Sequence, residues 1–287
     1  MSIAPPRAIT PGPVAIIAGA GTLPLHVAAS AERAGHTVFV ALLAGSANAA
    51  DYAAFDHQTF GLGQFGALSK ALTSRGILDA AFIGAVVRPG ITDIRPDMGL
   101  IRHWQTITAA FRKGDDGLLS AVVDILEAHG VRVVSALDLA PDLAIANPGP
   151  VGARRPEGAA RGEIDLGLEL IAALSPFDVG QCVVVSDGRP VAIEGAEGTD
   201  AMLARVAEMR RNGRLKRETG GGVLIKAPKR GQNMRIDIPT IGPETVRRAA
   251  EAGLQGIAIT VGEVIVADRQ ETIALADASG LFIEATR

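Results

Sequence analysis

The sequence predicts an α/β chain in two parts: a Rossmann-like domain on a parallel sheet, then an α+β domain with a mixed sheet. Three observations carry this. In the first half, short runs that are apolar throughout alternate with stretches of helical periodicity. Such strands are buried on both faces and joined by helical crossovers, which makes the sheet parallel. Next, "DLAPDLAIANPGPVGARRPEGAARG" (Asp138–Gly162) is rich in Pro, Gly and Ala with little periodicity, as an interdomain connection would be. Beyond it, "QCVVVSDGRPVAIEG" carries a DG turn signal, and such hairpins join antiparallel neighbours. The expected boundaries are 1–140, a connection at 141–162, and 163–287.

Taken in order, "VAIIAG" (Val14–Gly19) is a buried strand, and "GAGTLPLHVAASAERAGH" is a glycine turn entering a helix that stops at Gly35. "TVFVALLAG" is a second strand and "HQTFGLG" a short third. "GQFGALSKALTSRG" has apolar residues at helical spacing and ends on Gly76. "DAAFIGAVV" is another buried strand. "DDGLLSAVVDILEAHG" is a helix with acids at its N-terminus, where they complement the dipole, and "VRVVSAL" closes the series. In the second half, "EIDLGLELIAAL" is a helix, "TDAMLARVAEMRRNG" a helix capped by Thr199 or Asp200, and "GGVLIKAP" a strand. "GPETVRRAAEAG" is a helix with Pro243 in its first turn, and "GIAITVGEVIVAD" a hairpin-like pair of strands.

Composition excludes several classes. The chain has 287 residues, long enough for a real core, and 48% of them are hydrophobic, which is globular rather than disordered. Aromatics are only 3%, so the core is aliphatic and stacking platforms for nucleic acid are lacking. Net charge is −3 without a basic tract, which gives no electrostatic footprint for nucleic acid. The single cysteine, Cys182, suits a reducing compartment. No signal peptide or uninterrupted apolar span is present, so a cytoplasmic location is expected. His26, His36, His57, His103 and His129 are scattered without ligand spacing, and no G-x-S-x-G elbow occurs.

Four stretches could carry chemistry. "GAGTLP" (Gly19, Gly21, Thr22, Leu23, Pro24) places glycines between strand and helix, where backbone amides can meet a phosphate or nucleotide. A tight turn without a ligand explains it equally well. Pro24 replaces the third glycine of the dinucleotide fingerprint, and "LLAGS" lacks its acid, so NAD is disfavoured. Asp115 and Asp116, in "RKGDDGLL", either cap a helix or face a phosphate or metal beside Arg112 and Lys113. Glu194, Glu197 and Asp200 are spaced by three across a strand end, a glycine turn and a helix start, with Asp178 and Gln181 before the same hairpin. Acids packed this closely repel unless a cation offsets them, and oxygen ligands suit a hard cation. An N-cap for Asp200 and an exposed strand end for Glu194 are the structural alternatives. Finally, "APKRGQNMRIDIPTIGP" (Ala227–Pro243) sets Lys229, Arg235 and Asp237 around Gln232 and Asn233, just after Lys226. Cations suit phosphate, and Asp237 can hold a metal or orient water, a combination that fits phosphoryl transfer or pyrophosphate hydrolysis.

The ordered set "IAGAGTLP", "GDDGLL", "DVGQCVVV", "AIEGAEGTDAML", "GGVLIKAPKRGQNMRIDIPTIGPET" and "AGLQGIAI" resembles the LpxI family of UDP-2,3-diacylglucosamine pyrophosphatases, from about Val14 to Phe282. The resemblance implies hydrolysis of UDP-2,3-diacylglucosamine to UMP and 2,3-diacylglucosamine 1-phosphate (lipid X) in lipid A biosynthesis, with water attacking the β-phosphorus. It also implies a divalent cation, Mg²⁺ or Mn²⁺, a homodimer, and peripheral contact with the inner membrane. Glu194, Glu197 and Asp200 then fall to the metal. Asn233, Asp237, Arg235, Lys226 and Lys229 fall to catalysis. The GAGTLP turn, Asp115, Asp116, Gln181, Thr199 and Gln232 fall to substrate. The family pattern has an acid after Gln232, where this chain has Asn233. A carboxamide is a poor Mg²⁺ ligand and no base for water. The alternative reading is a non-catalytic protein that binds a nucleotide or acylated sugar, and Asn233 is the residue that favours it.

Overall fold

The computed structural model describes residues 8–86, 94–111, 115–177, 179–215 and 221–287. The chain divides into two compact units, Pro5–Pro141 and Asp142–Arg287, each with its own sheet.

The N-terminal unit runs β1 (Val14–Ala18), α1 (Leu23–Arg33), β2 (Val38–Leu43), β3 (Asp56–Phe60), α2 (Phe65–Ser74), β4 (Asp79–Ile83), α3 (Met98–Ile101), α4 (Trp104–Phe111), α5 (Asp115–Ala128), β5 (Arg132–Val133) and α6 (Ala136–Leu139). Its five strands are all parallel in the order β3-β2-β1-β4-β5. β1 is central and buried along its whole length, as its unbroken apolar run requires. β5 is only two residues long because Ser135 starts α6 with a capping box to Asp138. At the amino ends of β4 and β5, Asp79 is buried and pairs with Arg132 Nε at 2.7 Å, while Thr10 N donates to the same carboxylate at 2.6 Å. Burial pushes the Asp79 carboxyl up, but Arg132 and Thr10 outweigh it and hold it below its usual value.

The C-terminal unit adds β6 (Gly149–Pro150), α7 (Ala160–Leu174), β7 (Cys182–Ser186), β8 (Arg189–Ile193), α8 (Gly198–Arg211), β9 (Val223–Lys226), β10 (Thr240–Ile241), α9 (Pro243–Glu251), β11 (Gly256–Thr260), β12 (Ile265–Val266), α10 (Arg269–Ala278) and β13 (Phe282–Thr286). Its main sheet is mixed, in the order β6-β13-β11-β9-β7-β8. β9, β11 and β13 are parallel, whereas β7, β8 and β6 run antiparallel to their neighbours. The β7–β8 turn is Asp187-Gly188, both at positive φ, as a two-residue hairpin needs. One sheet face packs Cys182, Val184 and Leu224 against α8 and α9, while the other packs Val183, Val185 and Ile225 against α7. The core is aliphatic, as expected.

Three expectations differ from what is observed. "GIAITVGEVIVAD" is not a hairpin: β11 lies in the main sheet, while β12 pairs with β10 in a separate two-stranded ribbon. Much of the 141–162 stretch belongs to the C-terminal unit, with β6 on the edge beside β13 and Ala144 bridging to Ile265. Neither Thr199 nor Asp200 is the N-cap of α8; Glu197 is, without a side-chain cap bond.

Candidate functional site

The C-terminal unit places two of the sequence-selected residues, Glu194 and Lys226, in one row on either side of Cys182. Cys182 pairs in register with Lys226 on β9, and Glu194, just past β8, donates its backbone amide to Cys182 O at 2.9 Å. Neighbouring strands lie about 4.8 Å apart, so Glu194, Cys182 and Lys226 stand side by side. Glu194 and Lys226 are each only 8% exposed. A buried lysine and a buried glutamate in an apolar sheet need partners. Thr199, in the first turn of α8, supplies a shared one. Its hydroxyl donates to Glu194 Oε1 at 2.6 Å and accepts from Lys226 Nζ at 2.9 Å. Thr199 is thus the bridge of a buried charge pair. Burial pushes the Cys182 thiol below them up to about 11, which keeps it a protonated hydrophobe.

Gln181 extends this row to the polar loop. Its backbone amide donates to Glu194 Oε2 at 2.7 Å, its carbonyl accepts from Ala227 N at 3.1 Å, and its side-chain amide donates to Asp237 Oδ2. Gln232 donates to the same Asp237 oxygen at 2.9 Å and to the Asp237 carbonyl at 2.8 Å, while its Oε1 accepts from Lys229 N at 2.8 Å. One glutamine therefore ties both ends of the loop, and two amides fix one carboxylate oxygen. Within the loop, Asn233 Oδ1 accepts from Arg235 N at 3.2 Å and Arg235 Nε at 3.1 Å. That is an Asx turn that also docks a guanidinium. An amide oxygen suffices for both bonds, so Asn233 keeps the loop's shape without an acid's charge.

The acids selected as a metal trio are not brought together. Glu194 spends an oxygen each on Thr199 and Gln181 N. Glu197 faces outward and pairs with Arg205 at 2.9 Å. Asp200 is exposed on α8 and acts on Arg248. Among the described residues, no three His, Cys, Asp or Glu converge as a metal cluster. The physical reason is that spacing by three crosses from strand to turn to helix, where no single period aligns the side chains.

The GAGTLP turn lies in the N-terminal unit. A Cβ on Gly19 would stand 2.6 Å from the Ala85 carbonyl oxygen, and Gly21 adopts φ +96°. Ala20 and Ala85 form a bridge between the ends of β1 and β4. Backbone contact and turn geometry thus account for both glycines. Thr22 is the N-cap of α1 without a side-chain cap bond, and Leu23 and Pro24 open the helix. Asp115 and Asp116 begin α5, but their side chains lie outside what is described, as do Arg112, Lys113 and Asp178.

The comparisons with known proteins agree with this division. The LpxI N-terminal domain model matches residues 13–143, and the LpxI C-terminal domain model matches residues 147–284. The chain is 38% identical over 268 residues to the UDP-2,3-diacylglucosamine pyrophosphatase LpxI of Caulobacter vibrioides, covering 93% of this chain and 95% of that protein. Two domain models in order and a relative matched over nearly its whole length place one conclusion beyond the geometry: the chain belongs to the LpxI family.

Proposed function

We propose that this chain hydrolyses the pyrophosphate of UDP-2,3-diacylglucosamine, giving UMP and lipid X, with water attacking the β-phosphorus. Support comes from the named activity of the Caulobacter relative and from one observation here. Asp237 is fixed by two glutamine amides on a cationic loop, beside the buried Lys226–Thr199–Glu194 chain. Pyrophosphate cleavage transfers a phosphoryl group to water, so catalysis is chiefly positioning and charge stabilisation. Arg235 and Lys229 offer charge to the phosphates, and Asn233 fixes the rotamer of Arg235. Lys226 lies deeper and supplies positive potential under the loop. The substrate role assigned to Gln181 and Gln232 becomes one of orientation, since their amides already hold Asp237.

A divalent cation, Mg²⁺ or Mn²⁺, belongs to this reading. The Glu194, Glu197 and Asp200 trio does not fit one, because its carboxylates diverge. Asp237 fits better. Mg²⁺ keeps most of its waters and needs one or two carboxylates together with substrate phosphates. Bound there, the cation would offset charge on the pyrophosphate. The homodimer, the cytoplasmic location and a peripheral membrane contact remain part of the proposal, and no described helix is long and apolar enough to cross a membrane.

The test is UMP release from UDP-2,3-diacylglucosamine with Mg²⁺, Mn²⁺ or EDTA. Metal-dependent release is expected; no release with any metal would sink the hydrolase reading. Asn233 favours the second reading, binding without turnover, because a carboxamide supplies neither charge nor base. Asn233→Asp separates the two. A rise of about a hundredfold or more in kcat is expected if a carboxylate is missing chemistry. Equal rates would leave Asn233 as a loop former only.

A further inference from the structure

Five of the six exposed large apolar side chains among the described residues belong to the N-terminal unit, and three of these surround one turn. Met98 is 70% exposed, Ile101 49% and Leu62 37%. Met98 and Ile101 lie three residues apart on α3 and so share a face. Leu62 adjoins Gly63, whose carbonyl accepts from Asp97 N at 2.9 Å, which sets it beside the start of α3. Two exposed arginines, Arg95 and Arg102, bracket the pair.

The turn is held firmly. Asp97 Oδ1 accepts from Leu100 N at 2.9 Å and Gly66 N at 3.1 Å, and its Oδ2 accepts from Ala67 N at 3.0 Å. One carboxylate therefore caps two helices, α2 and α3. The helices meet so closely at Gly66 and Gly99 that a Cβ on Gly99 would strike the Gly66 backbone and one on Gly66 would press on Gly99. The apolar tips are thus presented to water by a rigid support, and such exposed patches mark interaction sites. The two cations choose the partner. In a two-fold contact between copies the same patch meets itself, so the four arginines would face each other and repel. An anionic lipid surface accepts both features: apolar side chains enter the boundary between headgroups and acyl chains, and arginines meet anionic headgroups.

We propose that this turn is the chain's contact with an anionic bilayer, Met98, Ile101 and Leu62 entering the lipid and Arg95 and Arg102 binding its headgroups. The proposal deepens the reading above and rests on it in one respect: a diacylated substrate is drawn from a bilayer.

The chain's one tryptophan, Trp104, opens α4 two residues beyond Arg102 and reports on the patch without a label. The full chain would be mixed with vesicles of phosphatidylcholine alone or with added phosphatidylglycerol. Cosedimentation and a blue shift of Trp104 emission are expected with the anionic vesicles and lost at high salt. Met98→Asp with Ile101→Asp should weaken binding at least about tenfold. Arg95→Gln and Arg102→Gln should each weaken it about fivefold. All variants should release UMP normally from detergent-dispersed substrate and slowly from vesicle-embedded substrate. Unchanged vesicle binding in the variants overturns the proposal. So does an equal loss on detergent-dispersed substrate, which would make the patch part of the substrate site, or a change in oligomeric state, which would make it a contact between copies. Vesicle binding is read without substrate, so a chain that binds vesicles but never releases UMP supports this surface and counts against the hydrolase reading.

Discussion

The Gly19–Pro24 turn and the Ala227–Pro243 loop both follow an apolar strand, and both carry residues suited to phosphate. They differ in what holds those residues in place. In the turn, the glycines are explained by backbone alone, Gly19 by the nearby Ala85 carbonyl and Gly21 by its positive φ. In the loop, side chains are held by other side chains, with Gln181 and Gln232 on Asp237 and Asn233 on Arg235. A glycine pattern reports how close the backbones come. A regular spacing of polar side chains that converge on one carboxylate reports a built side-chain network.

The comparison can be broken most directly at Asp237. Asp237→Ala should cut kcat for UMP release about a thousandfold with little change in melting temperature. A drop in melting temperature that accounts for the lost activity would reduce Asp237 to a loop anchor. Gln181→Leu should lower kcat about tenfold to a hundredfold, because the carboxylate stays but loses one of its two orienting amides. An effect on KM alone would return Gln181 to substrate contact.

On the other side of the comparison, Gly19→Ala should destabilise the N-terminal unit by about 1–3 kcal/mol through overpacking against Ala85, with kcat of the folded protein preserved. If stability is unchanged and KM rises steeply, the turn is a ligand loop after all. The smallest expected effect is at Asp79. Asp79→Asn should cost about 1–2 kcal/mol, discounted because Arg132 is partly exposed. Since the folded carboxyl titrates below its usual value, its contribution is present above the unfolded value and lost as pH falls through the folded one. Thermal melts from neutral pH down to about pH 3 should show an acid-side decline in the native chain that Asp79→Asn lacks in part.

The legible parts of the fold were the ones with strong local signals. β1 is a run buried throughout, β2 and β4 are buried at all but one position each, and the Asp187-Gly188 hairpin follows its DG signal. The local signal is weaker elsewhere: α3 and α4 are short, α10 is only weakly amphipathic, and Glu284 interrupts the apolar run of β13. In the site, residue types were legible and partners were not. Thr199 stands out in the sequence, but nothing local says that it bridges Glu194 to Lys226, which lies 27 residues further on.

The sequence by itself determined the two-part α/β architecture and the family, because burial period, glycine turns and motif order are written along the chain. Only the tertiary structure decided which polar residues meet. Strand register set Glu194, Cys182 and Lys226 in one row, and the path of the loop brought Asp237 to Gln181, 56 residues away in sequence. It also separated Glu194, Glu197 and Asp200 despite their even spacing. Local sequence fixes backbone periods, whereas the meeting of side chains depends on pairing between strands distant along the chain.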